Sequence, residues 1–192
     1  GFNHDTLSEP STAYGSSTAT GKAGISFEYV DFLISSLQQM NSGNTNSGGW
    51  ANTALRGTLN GTTYNSLNIK DKIKQVKKDY IPTYNVASTQ QIDDYLWLLS
   101  CGEIWDNGYN GGVTRGRAIA TEGKQYKYYK INLGSTSYQS SNNITIKSNS
   151  NYWLRSPYYY RSDCFCYVYM KGNCAARYAA TDKFWVAPGF AI

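Results

Sequence analysis

A junction near the middle of the chain constrains the fold most. Tyr95-Leu96-Trp97-Leu98-Leu99 is an unbroken apolar run, and Ser100-Cys101-Gly102-Glu103 follows it directly. An apolar run of that length suits a buried strand. Ser-x-x-Glu is capping-box spacing, in which the Ser hydroxyl and Glu carboxylate satisfy free backbone N–H groups at a helix start. A strand that turns into a helix at Ser100 calls for a mixed α and β domain.

The rest of the chain fits such a domain. Leu7 to Gly24 is rich in Ser, Thr, Gly and Ala around Pro10 and reads as a surface loop. Ile25 to Met40 alternates unevenly through Phe27, Val30, Phe32, Leu33 and Leu37, a pattern that suits a strand followed by a short helix or one helix. After the Asn/Ser/Gly loop 41–49, Trp50, Ala54, Leu55 and Leu59 fall at helical spacing. They predict a helix over Ala51 to Asn60 with Asn52 or Thr53 as N-cap. A second helix or turn is expected over Ser66 to Ile73, an extended segment over Val76 to Tyr84 broken at Pro82, and a strand over Ile92 to Leu99. Asp106 to Gly116 and Ser135 to Ser150 read as loops, the latter with an extended piece at Ile144 to Ile146. Between them Gly123 to Ile131 has helical spacing.

The final third changes character. Tyr152-Trp153-Leu154-Arg155 predicts a strand that stops before Pro157. Phe165 to Tyr169 alternates, with Phe165, Tyr167 and Tyr169 on one face and Cys166 and Val168 on the other. Lys171-Gly172-Asn173 suits a hairpin turn, and Trp185 to Phe190, with Pro188, a last short strand. The expectation is one α+β domain over residues 1–192, with helices in the first two thirds and a small antiparallel sheet formed mainly by the C-terminal third.

Several function classes find no support. Lys72, Lys74, Lys77 and Lys78 concentrate much of the modest positive charge, too short a stripe for a nucleic-acid binder, and read as a solvated face. No stretch has the eighteen or so apolar residues that span a bilayer, so membrane insertion is not expected. No signal peptide is visible, and Gly1-Phe2-Asn3 reads as a strand interior, the pattern of a trimmed chain. The one histidine, His4, rules out a three-His metal site and leaves a Ser-His-Asp arrangement with a single possible centre. Asp93 and Asp94 are adjacent on a strand and point apart, so they do not converge for acid/base work. No nucleotide-binding, nucleophile-elbow or zinc-protease motif is present.

The four cysteines, Cys101, Cys164, Cys166 and Cys174, lack the paired C-x-x-C units of a structural zinc site. They read as a disulfide or free thiols, with no metal or cofactor expected. If Phe165–Tyr169 pairs with Cys174–Tyr178, Cys174 falls opposite Tyr169 and no disulfide across the hairpin is geometrically obvious.

The strongest positive signal is aromatic density near the C-terminus. Tyr158, Tyr159, Tyr160, Tyr167, Tyr169, Tyr178 and Phe184 lie beside Arg161 and Arg177. Aromatics in strands ordinarily form core. Three consecutive tyrosines cannot all face inward, however, and displayed tyrosines near arginines are the material of binding hot spots.

Trp153-Leu154-Arg155-Ser156-Pro157, Phe165-Cys166-x-Val168 and Val186-Ala187-Pro188-Gly189-Phe190 together carry a resemblance. So do Gly1 to Asp5, Ala23 to Phe27, Gly49-Trp50 with Leu55-Arg56 and Leu59-Asn60, and Leu96 to Ser100 with Glu103. The chain resembles a family of bacterial and phage surface domains whose better-known relatives are variable proteins of diversity-generating retroelements. Those relatives share the C-type-lectin fold with formylglycine-generating enzymes. The resemblance implies a C-type-lectin-like domain with a variable region over 153–190 that binds a protein or glycan receptor on another cell surface. It further implies no catalysis, and an extracellular setting on a phage tail or a bacterial cell surface.

In such proteins an adenine-misreading reverse transcriptase rewrites Asn codons, and the rewritten side chains form the binding face. Carried onto this chain, the resemblance implies a ligand-binding set of Tyr158, Tyr159, Tyr160, Asp163, Cys164, Tyr167, Tyr169, Asn173, Cys174, Ala176, Arg177, Tyr178, Ala180, Thr181 and Phe184. Met170, Lys171, Lys183 and Trp185 lie outside what those codons reach and count as scaffold. Cys164 and Cys174 are then products of diversification, and Cys166 a buried scaffold residue. A disulfide or metal tying Cys164, Cys166 and Cys174 together would contradict this reading. A purely structural surface domain is the alternative, and a cysteine-dependent oxidising enzyme a more distant one.

Overall fold

The computed structural model describes residues 36–86, 88–105, 122–133, 150–175 and 178–192. His4, the expected loop at Leu7 to Gly24, most of the Ile25 to Met40 segment, the loop at Asp106 to Gly116, all but the last residue of the loop at Ser135 to Ser150, and the candidates Ala176 and Arg177 lie outside them.

The first helical segment follows from its cap. Thr53 is in extended conformation and its Oγ1 accepts a hydrogen bond from the Arg56 N–H at 3.1 Å, so helix α1 (Ala54–Thr58) begins just after it. The expected start at Ala51 is instead a 3-10 turn over Gly49–Asn52. The helix continues beyond Asn60, through a π turn at Leu59–Thr63 into α2 (Tyr64–Ser66). A 3-10 turn, Lys70–Lys72, stands where the second helix or turn was expected.

Strand β1 (Val76–Tyr80) pairs antiparallel with β2 (Gln90–Asp94), Val76 facing Asp94 and Tyr80 facing Gln90. The single strand expected over Ile92 to Leu99 is thus two. β2 ends at Asp94, and β3 (Trp97–Leu98) pairs with β7 (Pro188–Gly189) in a different sheet. Asn60 makes the break: its Oδ1 accepts from the Tyr95 and Leu96 N–H groups at 2.7 and 3.1 Å, and its Nδ2 donates to the Leu96 carbonyl at 2.8 Å. A side chain that takes these backbone partners leaves none for a continuing ladder.

The capping box at Ser100 is present in full. Glu103 N–H donates to Ser100 Oγ at 3.1 Å and Ser100 N–H to Glu103 Oε2 at 3.0 Å, opening the short helix α3 (Cys101–Ile104). Helix α4 (Lys127–Leu133) starts four residues later than the spacing over Gly123 to Ile131 predicted.

In the last third, β4 (Tyr152–Pro157), β5 (Phe165–Val168) and β6 (Cys174–Ala175) form a three-stranded antiparallel sheet. β4 does not stop before Pro157. The proline occupies its final position opposite Phe165, past a register irregularity, where a missing N–H interrupts no regular ladder. The expected Trp185–Phe190 strand narrows to β7, with Trp185 joined to Tyr152 by a parallel bridge. The chain is α+β, with helical segments in the first two thirds and small antiparallel sheets, although β1 to β3 also come from the first two thirds.

Alternation along β4 and β5 divides the core in two. Trp153, Phe165 and Tyr167 pack with Met40, Trp50, Leu59, Trp97, Phe184 and Val186. Tyr152, Leu154, Cys166 and Val168 face the other way, onto Leu99, Cys101, Ile104 and Trp105. The central sheet is therefore covered on both faces.

Candidate functional site

The loops beside this sheet are drawn together by Asn46, which is fully buried. Its Nδ2 donates to the carbonyls of Arg161 and Cys164, both at 2.8 Å, and its N–H to the Ser162 carbonyl at 2.6 Å. Its Oδ1 accepts from the Tyr84 N–H at 3.2 Å and Thr83 Oγ1 at 3.3 Å. One amide thus satisfies backbone groups of two loops that would otherwise be buried unpaired. A third loop joins where Ala180 N–H donates to the Asp163 carbonyl at 2.7 Å and Cys164 bridges Ala179.

Each of these three loops exposes one tyrosine: Tyr84, Tyr160 and Tyr178 are 41, 43 and 45% exposed. Each of the two C-terminal rings rests on rings behind it. Tyr160 stands edge-on to Tyr159 and Tyr158, with centroids 5.1 and 5.8 Å away. Tyr178 meets Phe184 edge-on at 5.2 Å and Tyr167 at 5.5 Å, and Phe184 rests on Trp153 at 4.5 Å. Beside them Arg161 and Asp163 pair through two hydrogen bonds of 2.9 and 2.6 Å. That pairing holds the Asp163 carboxyl below its usual range, while burial and the neighbouring Asp163 push the Cys164 thiol up to about 12.

The expected binding set divides accordingly. Tyr160 and Tyr178 are exposed, and Tyr158, Asp163, Tyr169, Asn173 and Thr181 are half-buried. Tyr159, Cys164, Tyr167, Cys174, Ala180 and Phe184 are buried and do not belong to a displayed face. Tyr167 is turned in by the period of β5, and Phe184 closes over Trp153. Tyr169 and Asn173 belong to the β5–β6 turn, roughly 13 Å of strand away from the Tyr160 loop. Tyr84 and Asn46 were missed; a tyrosine after Pro82-Thr83 was a usable signal, whereas nothing local marks one asparagine among the many of loop 41–49.

A second concentration of chemistry lies inside the fold. Arg155, fully buried on β4, donates to the Asp79 and Leu98 carbonyls at 3.0 and 2.7 Å, to Glu103 Oε2 and to the Glu122 carbonyl. Lys78 reaches Glu103 Oε1 and donates to the Tyr126 hydroxyl at 2.7 Å, over the Trp97 ring. β1 alternates, so only Lys72, Lys74 and Lys77 of the expected solvated run are exposed; Lys78 is turned inward. Asp93 and Asp94 do point apart: Asp93 is exposed and Asp94 is buried against Trp50 Nε1 and Arg56 Nε, both at 2.7 Å.

Ser156 Oγ donates to Glu122 Oε2, and Ile81 N–H donates to Glu122 Oε1 at 3.0 Å. Burial nevertheless raises the Glu122 carboxyl to about 7 against the pull of Arg155. Burial acts on Glu103 in the same sense, but Arg155 and Lys78 outweigh it and hold that carboxyl below its usual range.

None of the four cysteines is in a disulfide, and all four are buried. The sulfurs of Cys101, Cys166 and Cys174 lie within 4.8 Å of one another, the one group of three potential metal ligands among the described residues. Cys164 is not part of it; its thiol donates to Asp163 Oδ1 at 3.3 Å. The β5–β6 register explains the grouping. Gly172, at φ 85°, closes a tight turn in which its N–H donates to the Tyr169 carbonyl, so Cys174 faces Val168 and not Tyr169. That one-residue difference moves Cys174 to the face of Cys166 and Val168.

The family model described as a domain of unknown function (DUF6273) matches residues 21–192, and the chain belongs to that family. No curated protein and no solved structure matches it. Among the described residues, no helix is long and apolar enough to cross a membrane.

Proposed function

We propose that this chain is a ligand-binding module, a C-type-lectin-like domain that recognises a protein or glycan receptor on another cell surface and acts by binding, without catalysis. One observation carries the reading: Tyr84, Tyr160 and Tyr178 are exposed on three loops that hydrogen bonds to Asn46 and Asp163 tie together. Tyrosine offers a large rigid contact surface at low conformational-entropy cost, and rings braced from behind lose little further freedom on binding. Arg161 and Asp163 add a charged pair beside the aromatic surface.

The resemblance to variable proteins of diversity-generating retroelements extends the proposal. The setting is extracellular, on a phage tail or a bacterial surface. Diversified positions are then the exposed and half-buried ones, Tyr158, Tyr160, Asp163, Tyr169, Asn173, Tyr178 and Thr181, because rewriting a buried position costs packing.

The test is an array of bacterial surface glycans and surface proteins, probed with the chain and with a Tyr84→Ser/Tyr160→Ser/Tyr178→Ser variant. The expected result is a defined set of bound ligands that the triple variant loses while melting cooperatively. Equal binding by the two proteins would overturn the assignment of the face. Sequencing the locus in its source population tests the diversification: adenine-position changes at the outward codons support it, and an invariant segment removes it.

A further inference from the structure

We propose that Cys101, Cys166 and Cys174 form a three-thiolate site for a single Cu(I) ion. The site is independent of the binding face and rests on the convergence of three sulfurs from α3, β5 and β6.

The geometry suits a small soft ion. Cys101 Sγ and Cys174 Sγ are 3.7 Å apart, and all three sulfurs lie within 4.8 Å of one another. An ion about 2.3 Å from each of three thiolates sets those sulfurs roughly 4 Å apart, so it enters with little rearrangement. The cluster contains only sulfur, the donor that selects thiophilic metals over Mg²⁺, Ca²⁺ or Mn²⁺.

Coordination number separates copper from zinc. Structural zinc takes four ligands in a tetrahedron. Among the described residues neither histidine nor carboxylate joins the three sulfurs, and Cys101, Cys166 and Cys174 are 0, 0 and 5% exposed, packed among Leu99, Ile104, Leu154 and Val168. Apart from Ser156 Oγ beside Cys101 that shell is apolar, and a single polar neighbour is too few to hold a water as fourth ligand. Three thiolates in a dry pocket match a three-coordinate monovalent ion.

The supports are rigid. Cys101 N–H donates to Ser156 Oγ at 3.0 Å, Ser100 caps the turn that carries it, and the β5–β6 register fixes Cys166 and Cys174 on one face. Burial alone is ordinary for cysteine, which packs as a small apolar side chain. The convergence of three sulfurs from positions as far apart in sequence as 101 and 174 goes beyond it.

The experiment uses the full reduced chain under anaerobic conditions, with Cu(I) supplied as its acetonitrile complex against bicinchoninate. The expected result is one Cu(I) per chain retained against the competitor and three sulfur neighbours by X-ray absorption. Cys101→Ser, Cys166→Ser and Cys174→Ser each weaken retention by more than about tenfold, while Cys164→Ser matches the wild type. Should a cluster variant fail to fold, the wild-type stoichiometry and sulfur count still decide. Failure of the wild type to hold Cu(I), a two-sulfur shell, tighter uptake of Zn(II) in competition, or a Cys101–Cys174 disulfide in the native protein would overturn the proposal.

Discussion

Arg155 and Glu103 form an ion pair from which solvent is excluded on both sides, their side chains 0 and 2% exposed. Breaking such a pair leaves one charge buried without its partner, which costs about 3–5 kcal/mol. Arg155→Met is therefore expected to lose stability on that scale in urea unfolding. Glu103 keeps Lys78 as a second cationic partner, and the double variant Arg155→Met/Glu103→Gln is expected to lose less than the two single losses combined, since both single changes remove the same Arg155–Glu103 interaction.

Glu122 gives the fold a pH dependence of unusual sign. Its carboxyl titrates at about 7 when folded against 4.5 when free, with Ser156 Oγ, the Ile81 N–H, Arg155 and Cys101 as the groups that act on it. The folded state holds the proton more tightly, so this contribution is complete below pH 4.5 and is lost as pH rises through 7. The gap corresponds to about 3 kcal/mol. Glu122→Gln cannot ionise, and the difference in unfolding free energy between wild type and variant, followed across this window, should show that fall. A difference that stays flat would contradict it.

Asn46→Ala removes an amide that serves several buried backbone groups of the 83–84 and 161–164 segments. Each unsatisfied buried group costs about 1–3 kcal/mol. The expected outcome is a loss of a few kcal/mol, with amide exchange accelerated first at Tyr84. A variant in which that amide stays as protected as in the wild type would show that Asn46 does not anchor the loop.

Gly49 sits at φ 55°, and a Cβ placed on it would lie 2.0 Å from the Ile81 carbonyl oxygen. Backbone has to move to admit even one methyl group. Gly49→Ala is therefore expected to cost well over 1 kcal/mol, whereas Gly57→Ala, in open space on α1, should be neutral or stabilising. Thermal melts of the two variants check the contrast.

Phe184 and Tyr178 touch edge-on but lie on opposite sides of the surface. Phe184→Ala should cost about 3–5 kcal/mol as a core truncation, and Tyr178→Ser only about 1–3 kcal/mol for its two ring pairs, with Phe184 and Tyr167. Denaturant midpoints of the two proteins distinguish the core ring from the displayed one. Equal losses would place Tyr178 in the core.

Much of the local structure was legible in the sequence because the responsible partners are neighbours. Ser100 and Glu103 are three residues apart, and their capping box forms as read. Thr53 caps α1, Asp93 and Asp94 point apart, and the alternation of Phe165 to Tyr169 sorts those side chains between two core layers. Three consecutive tyrosines after Pro157 do divide, with Tyr159 buried and Tyr160 exposed.

What was not legible depends on partners far along the chain. The break between β2 and β3 is made by Asn60, more than thirty positions earlier. Lys78 turns inward because Glu103 and Tyr126 await it there. The face that Tyr84, Tyr160 and Tyr178 share depends on Asn46, whose role no neighbouring residue announces.

By itself, then, the sequence determined the α+β class, the caps, the strand alternation and the presence of outward tyrosines, all of which follow from backbone periodicity and hydrogen bonds a few residues long. Only the tertiary structure decided which aromatics became core and which cysteines met. Cys174 shows the reason: one residue of hairpin register, set by the turn at Gly172, reverses the face of a side chain and brings it to Cys101.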